Sequence, residues 1–237
     1  MKNYLYEQGE EYESSWAIVA MPEIFGLNQF IKGTVDRLAD MHHVPTVALD
    51  HMYLGAGESK VYDYVADRET AHHAMVGVHG DAFIKLFSST VDDIQVAHPT
   101  ITSIAVIGYC FGGRLAYLSG VDKRVSNIVS YYGAGPHTDN YYEGKTVIQA
   151  LAAARAHDPH LVVTGLYGGA DAGIPETDRA RTKEELTAAD INYTEVVYPT
   201  AGHAFCNHER ADRYDAAAST QSIALVDDIL FQYFAKD

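Results

Sequence analysis

Residues 103–115 read SIAVIGYCFGGRL, and the rest of the chain is organised around this stretch. The apolar run at residues 104–107 is too short to be a helix on its own, and it leads to a Gly-x-Cys-x-Gly-Gly turn. The residues after the turn favour a helix. The stretch therefore predicts a buried strand, a tight turn and a helix, in that order.

The glycines of this turn leave Cys110 at its apex. Gly108 and Gly112 lack a Cβ, so the chain can fold back sharply between them, and Gly113 lets the helix pack close to its strand. At the start of a helix, the positive end of the helix dipole would stabilise the Cys110 thiolate. If the sulfur attacks a carbonyl carbon, the backbone amide of Phe111 would point at the carbonyl oxygen. The pattern predicts a nucleophile. The alternative is that Cys110 is a small buried hydrophobic residue and that the glycines only make a turn.

Bulk properties narrow the class of protein. The 237 residues are enough for a full hydrophobic core. A formal charge of −15, from 17 basic and 32 acidic residues, argues against binding to nucleic acid or to anionic membranes. Residues 1–7 lack the apolar core of a signal sequence and no segment is long enough to span a bilayer, so we expect a cytoplasmic protein. With only Cys110 and Cys206 in a reducing compartment, reactive chemistry explains at least one cysteine better than a disulfide does.

Short apolar runs alternate with helical patterns along the chain. Strand candidates lie at residues 16–21, 44–50, 104–107, 127–132, 161–167 and 193–198. Helix candidates lie at residues 29–41, 67–78, 81–87, 146–155, 176–189 and 223–233. Residues 7–15 are polar and acidic, so we expect an exposed lead-in there. The alternation predicts one α/β domain over residues 1–237, with a mostly parallel sheet and helices on both faces.

Histidines occur in pairs at residues 42–43 and 72–73, with His79 nearby, which raises the question of a metal site. No carboxylate or cysteine completes a ligand set at zinc spacing around them. We therefore interpret these histidines as parts of solvated helix faces. The sequence implies neither a metal nor a cofactor.

Four loops that follow predicted strands each carry one reactive side chain, namely Glu23, Cys110, Asp171 and His203. Sites in parallel sheets lie at the carboxyl ends of the strands. A cysteine attacks a carbonyl only as its thiolate, so an imidazole must take its proton and a carboxylate must orient that imidazole. The order nucleophile, acid, histidine along the chain is that of α/β-hydrolases. Taken singly, Asp171 could cap a helix, His203 could be an ordinary histidine and Glu23 could be a surface carboxylate.

Four segments together resemble the dienelactone hydrolase family of α/β-hydrolases. They are GYCFGG at residues 108–113, EIFGLN at 23–28, GGAD at 168–171 and GHAF at 202–205, and the likeness runs from about residue 16 to residue 234. The resemblance implies an α/β-hydrolase fold in which Cys110 is the nucleophile, His203 the base and Asp171 the acid that orients it. It also implies an oxyanion hole formed by the backbone amides of Ile24 and Phe111.

The resemblance also implies a role for Glu23, while the substrate end departs from the family pattern. In the family this glutamate contacts the resting thiol and couples its deprotonation to substrate arrival, so we expect a pairing of Glu23 near Cys110. Family members hold the substrate carboxylate with arginines, one of them four residues after the histidine, where this chain has Asn207. Arg68 and Arg114 are candidates for the other arginine.

The resemblance leads us to predict a hydrolase that opens a lactone or cleaves a small carboxylic ester through a thioester acyl-enzyme. Its expected partner is a small-molecule substrate. The alternative is a non-catalytic member of the fold that binds a small apolar molecule or a protein, although the full set of reactive residues favours the enzyme. A further hypothesis is that Cys206, three residues after His203, forms a disulfide with Cys110 on oxidation. The alternative there is an inert loop thiol.

Overall fold

The computed structural model describes residues 5–9 and 12–234. The strands in these residues are β1 Leu5–Gln8, β2 Trp16–Met21, β3 Thr46–Leu49, β4 Ser103–Tyr109, β5 Val125–Tyr131, β6 Val162–Gly168 and β7 Asn192–Tyr198. The helices are α1 Gln29–His42, α2 Tyr53–Ala56, α3 Arg68–Val76, α4 Gly80–Ala97, α5 Phe111–Ser119, α6 Val147–Arg155, α7 Glu176–Ala188 and α8 Ala216–Phe234. No helix in this part of the chain is long and apolar enough to cross a membrane.

The strands form a seven-stranded sheet in the order β1-β3-β2-β4-β5-β6-β7. Strands β2 to β7 run parallel to one another, and β1 pairs antiparallel with β3 at one edge. Strand β7 forms the other edge, where the sequence pattern indicates an edge strand. The predicted mostly parallel sheet is confirmed.

Two apolar layers cover the sheet, because successive residues of a strand point to opposite faces. In β2, Ala17 and Val19 belong to one layer, whereas Ile18 and Ala20 belong to the other. Helices α3 to α7 contribute buried residues to the first layer. Helices α1 and α8 contribute to the second, so helices lie on both faces as predicted.

The structure corrects the sequence prediction at two elements. Helix α4 spans Gly80–Ala97, whereas the sequence predicts a helix over residues 81–87 only. Its buried positions continue at helical spacing through Thr90, Val91 and Ile94, but polar residues between them obscure the stripe. Leu5–Gln8 forms an edge strand that overlaps the expected exposed lead-in. Strand pairing uses backbone atoms, so polar side chains do not prevent it.

The solvated interpretation of the histidines is wrong for His42. This residue, the last of α1, is buried, and its Nε2 lies 3.1 Å from Asp227 Oδ1 on α8. His42 thus links the two helices that cover one face of the sheet. The other histidines considered are exposed; they are His43, His72, His73 and His79.

Candidate active site

The four reactive side chains identified in the sequence lie on loops at the carboxyl end of the sheet. Glu23 follows β2, Cys110 follows β4, Asp171 follows β6 and His203 follows β7. These strands are parallel, so their carboxyl ends lie at the same end of the sheet, which is where sites in such sheets form.

Cys110 occupies a sharp turn between β4 and α5. Its φ of 56° and ψ of −116° lie in a region that residues other than glycine rarely adopt. A Cβ on Gly108 would lie 2.1 Å from the Gly112 oxygen. A Cβ on Gly112 would lie 2.4 Å from the backbone oxygens of Met21 and Pro22. The two glycines therefore allow the tight turn and bring the chain after β2 against it, while the Cys110 side chain stays partly exposed.

His203 lies between Cys110 and Asp171. Its Nε2 is 3.1 Å from Cys110 Sγ, and its Nδ1 is 2.6 Å from Asp171 Oδ2. The other carboxylate oxygen of Asp171 accepts a hydrogen bond from the Gly173 amide at 2.9 Å. Helix α7 begins only at Glu176, so Asp171 does not cap it. The structure thus brings the predicted sulfur, imidazole and carboxylate into one line of contacts.

The surroundings of His203 favour its charged form. Burial alone would lower the pKa of the imidazole, but the Cys110 sulfur and the Asp171 carboxylate raise that pKa to about 10. A cationic imidazole in contact with the sulfur is the environment in which a thiolate is stabilised.

The amides of Ile24 and Phe111 border the same turn. Phe111 is the first residue of α5, and the first amides of a helix have no acceptor within that helix. Ile24 lies two residues after Pro22, whose backbone oxygen packs against Gly112 in the turn. Within residues 5–9 and 12–234 no acceptor bonds the Ile24 amide. No acceptor is found for the Phe111 amide in the described residues either, and an oxyanion hole formed by the two amides stays a prediction.

Glu23 is buried, and its contacts differ from the expected pairing. Its Oε2 accepts a hydrogen bond from Asn207 Nδ2 at 2.9 Å, and the described residues include no hydrogen bond between Glu23 and Cys110. Burial raises the pKa of Glu23, while the Asn207 hydrogen bond and the charges of Arg210 and His203 act in the opposite direction. Glu23 therefore interacts electrostatically with His203, but its hydrogen bond is with Asn207. The Cys110 sulfur, its expected partner, is hydrogen-bonded to the imidazole instead.

Asn207 occupies the position that the resemblance assigns to an arginine. Its side chain is fully buried, and its Nδ2 contacts the Tyr64 hydroxyl at 3.0 Å as well as Glu23. The Tyr64 hydroxyl in turn donates to Glu209 Oε2 at 3.0 Å. Arg210 lies over the Tyr64 ring at 5.4 Å. Asn207 is thus an anchor for Glu23, which sequence reasoning missed because it treated this position only as a substrate contact.

Of the two arginines considered for the substrate end, only Arg114 comes near Cys110. Arg68 is exposed at the start of α3. Arg114 Nε donates to the Ala134 oxygen at 2.7 Å, and its guanidinium lies over the Phe111 ring at 5.1 Å and the Tyr141 ring at 5.7 Å. It interacts electrostatically with Cys110 and makes no ion pair within the described residues.

Tyr132 is a further residue of the site. Its ring centre lies 5.1 Å from that of His203, and its φ of 39° is unusual for a residue other than glycine. Burial raises the pKa of its hydroxyl well above the ordinary value, and the Glu23 charge acts in the same direction, so the hydroxyl stays protonated at neutral pH. The one clue in the sequence is its place directly after β5, the neighbour of β4.

Cys206 lies in different surroundings from Cys110. It is buried, its Sγ is 3.2 Å from Ser222 Oγ on α8, and both cysteines are free. Burial raises the pKa of the Cys206 thiol to about 12. These contacts favour the alternative of an inert thiol, and the disulfide with Cys110 stays a prediction.

The fold and the site together define a class. A cysteine at a strand-turn-helix elbow, followed along the chain by an acid and a histidine that contact each other, lies here on a mostly parallel sheet covered on both faces. This is the arrangement of an α/β-hydrolase. The model of the dienelactone hydrolase family matches residues 1–234, and the chain belongs to that family.

Individual relatives agree with this assignment. A Yersinia pestis protein provisionally named carboxymethylenebutenolidase is 26% identical over 189 residues, covering 79% of this chain and 67% of the relative. A Methylorubrum extorquens protein with the same provisional name is 30% identical over 200 residues, covering 79% of this chain and 62% of the relative. The crystal structure of a provisionally named dienelactone hydrolase from Klebsiella pneumoniae shares the fold, with a TM-score of 0.76 and 22% identity over 98% of this chain and 92% of that one. The chain thus spans about two thirds of the length of the Yersinia pestis and Methylorubrum extorquens proteins.

Proposed function

We propose that this protein hydrolyses a lactone or a small carboxylic ester through an acyl-enzyme in which the acyl group is a thioester of Cys110. The observation that carries the proposal is the pair of contacts made by His203, 3.1 Å to the Cys110 sulfur and 2.6 Å to the Asp171 carboxylate. Membership of the dienelactone hydrolase family and the carboxymethylenebutenolidase names of the relatives support the reaction class.

In the proposed acylation, the Cys110 thiolate attacks the carbonyl carbon of the ester. The carbonyl electrons move to oxygen, and the amides of Ile24 and Phe111 donate hydrogen bonds to that oxyanion. When the tetrahedral intermediate collapses, the bond to the leaving oxygen breaks and that oxygen takes a proton from His203 Nε2. Asp171 keeps the imidazole in the required tautomer and stabilises its cation. In a lactone the leaving oxygen stays attached to the acyl chain, so the ring opens.

The test is a matched pair of variants that each remove one thiol. With p-nitrophenyl acetate as the activated ester, we expect Cys110→Ala to lose at least about 10³-fold in hydrolysis. Cys206→Ala should stay within about threefold of the unmodified protein, because Cys206 contacts Ser222 rather than His203. Mass spectrometry of quenched reactions should show an acetyl group on Cys110.

Two outcomes would contradict the proposal. Full activity in the Cys110→Ala protein would end it. A ligand that binds and is recovered unchanged, with no adduct on Cys110, would favour the non-catalytic binding protein instead.

A further inference from the structure

Two buried polar atoms near His203 have no hydrogen-bonding partner within the described residues. They are Glu23 Oε1 and the Tyr132 hydroxyl. Glu23 is 2% exposed and Tyr132 is 0% exposed, so neither atom is satisfied by bulk solvent. A buried polar group without a partner in a native protein needs an explanation, and the common one is an ordered water or a ligand.

The two atoms belong to one electrostatic cluster with the reacting groups. The Tyr132 hydroxyl interacts with the Glu23 carboxyl, although neither unpartnered atom meets hydrogen-bond geometry. Glu23 also interacts with His203, and Tyr132 interacts with Cys110. The Glu23 carboxyl and the Tyr132 hydroxyl therefore influence each other without completing a hydrogen bond, and a bridging water can satisfy two polar groups in that arrangement.

Other atoms of both residues make contacts that fix the positions of the two unpartnered atoms. Asn207 Nδ2 donates to Glu23 Oε2 at 2.9 Å, which leaves Oε1 as the oxygen that needs a partner. The Tyr132 amide donates to the Leu166 oxygen at 2.8 Å, and its ring centre lies 5.3 Å from that of Phe205. The Tyr132 backbone has an unusual φ of 39°, and strained backbone of this kind occurs preferentially at functional sites.

We propose that Glu23 Oε1 and the Tyr132 hydroxyl hold the water that hydrolyses the acyl group on Cys110. This inference rests on the proposed function and adds to it the second half of the reaction. The water donates one hydrogen to Glu23 Oε1 and accepts one from the Tyr132 hydroxyl. The second hydrogen of the water can then be donated to His203 Nε2, and its remaining lone pair can attack the carbonyl carbon of the thioester.

The step balances without a further reactant. The water oxygen forms a bond to the thioester carbonyl carbon, one water proton moves to neutral His203 Nε2, and the carbonyl oxygen becomes an oxyanion. Collapse restores the carbonyl and breaks the carbon–sulfur bond, so the product leaves as a carboxylic acid. Sulfur departs as a thiolate beside the protonated His203. Glu23 and Tyr132 orient the water and exchange no proton with it.

Tyr132→Phe tests the inference because it removes the hydroxyl and keeps the ring. With p-nitrophenyl acetate the initial burst reports acylation, and the steady rate that follows reports deacylation. We expect acylation within about twofold of the unmodified protein and deacylation slower by roughly 10- to 100-fold, the size of a lost hydrogen bond in a polar site. Acyl-Cys110 should therefore accumulate in the mass spectrum.

A second variant and a control keep the test independent of one substitution. Glu23→Gln preserves shape and the Asn207 contact but presents an amide donor where the water needs an acceptor, so it should slow the same step. Tyr131→Phe removes a buried hydroxyl one residue earlier in the chain, which interacts with Cys206, Tyr109, Ser222 and Tyr198 rather than with Glu23 or Cys110. It should leave both rates unchanged. Hydroxylamine, a stronger nucleophile, should speed turnover of Tyr132→Phe more than that of the unmodified protein.

The outcomes separate this inference from the proposed function. If the unmodified protein forms no acyl-Cys110, the proposed function fails and the inference fails with it. If acyl-Cys110 forms but neither variant slows deacylation, only the inference is overturned. Slowing of acylation alone, or of both steps equally, also overturns it, because Tyr132 and Glu23 would then act on His203 or on substrate binding.

Discussion

The two cysteines of the chain lie on loops at the carboxyl end of the sheet, but they differ in exposure and in the groups that their sulfurs contact. Cys110 is partly exposed in a strained turn, and an imidazole nitrogen lies 3.1 Å from its sulfur. Cys206 is 5% exposed, and its sulfur contacts the Ser222 hydroxyl at 3.2 Å. A thiol becomes a nucleophile where a positive neighbour stabilises the thiolate and where a substrate can reach it. The neighbours of each sulfur, rather than its position at this end of the sheet, are the reason why we propose Cys110 and not Cys206 as the nucleophile.

Asp171→Asn should break this contrast with the largest effect. Asparagine keeps the size of the side chain but presents an amide group that favours the wrong tautomer of His203, so ester hydrolysis should fall by about 10³- to 10⁴-fold. Steady-state kinetics with p-nitrophenyl acetate at pH 7 measure the loss, and thermal unfolding serves as the control for folding. A loss smaller than tenfold would mean that Asp171 does not orient the imidazole.

Alkylation measures the contrast directly, with a smaller expected effect. At pH 7, iodoacetamide should modify Cys110 at least about 100-fold faster than Cys206, because Cys206 is buried and the pKa of its thiol is raised to about 12. Timed quenching followed by peptide mass spectrometry gives both rates in one sample. In protein unfolded with urea the two rates should converge. Similar rates in the folded protein would remove the distinction between the two sites.

Ser222→Ala tests the other side of the contrast and has the smallest expected effect. The substitution removes the hydroxyl that contacts Cys206 Sγ, so the free energy of unfolding should fall by about 1 kcal/mol. Thermal unfolding should show a decrease of roughly 2–4 °C in Tm for a chain of this size. Ester hydrolysis should not change. A fall in hydrolysis of more than about threefold would indicate that the surroundings of Cys206 affect the active site.

The parts of the structure that depend on local sequence could be predicted. The apolar run and the glycines around Cys110 encode a strand, a turn and a helix within a few residues, and the structure has β4 and α5 there. The alternation of elements also indicates that Asp171 and His203 follow strands, which places them at the edge where Cys110 lies. The sequence predicts only the first part of α4, because polar residues interrupt the apolar stripe of this helix.

The parts of the site that depend on contacts between distant residues could not be predicted. Glu23 and Asn207 are 184 positions apart, and nothing in either local sequence indicates that they share a hydrogen bond. The resemblance predicts a pairing of Glu23 near Cys110, but the sulfur is hydrogen-bonded to His203. The sequence indicates only that Tyr132 ends a strand, because its buried hydroxyl and unusual backbone are properties of the folded chain.

The backbone of Cys110 has a consequence for how such a protein could change over evolutionary time. Holding a residue other than glycine at φ 56° and ψ −116° costs about 1–3 kcal/mol, a noticeable share of the roughly 5–15 kcal/mol by which domains are stable. Glycine would relax this turn and discard the sulfur at the same time. Under the proposed function, a variant with glycine at this position would be more stable but inactive, so selection for stability and selection for activity would act on this residue in opposite directions.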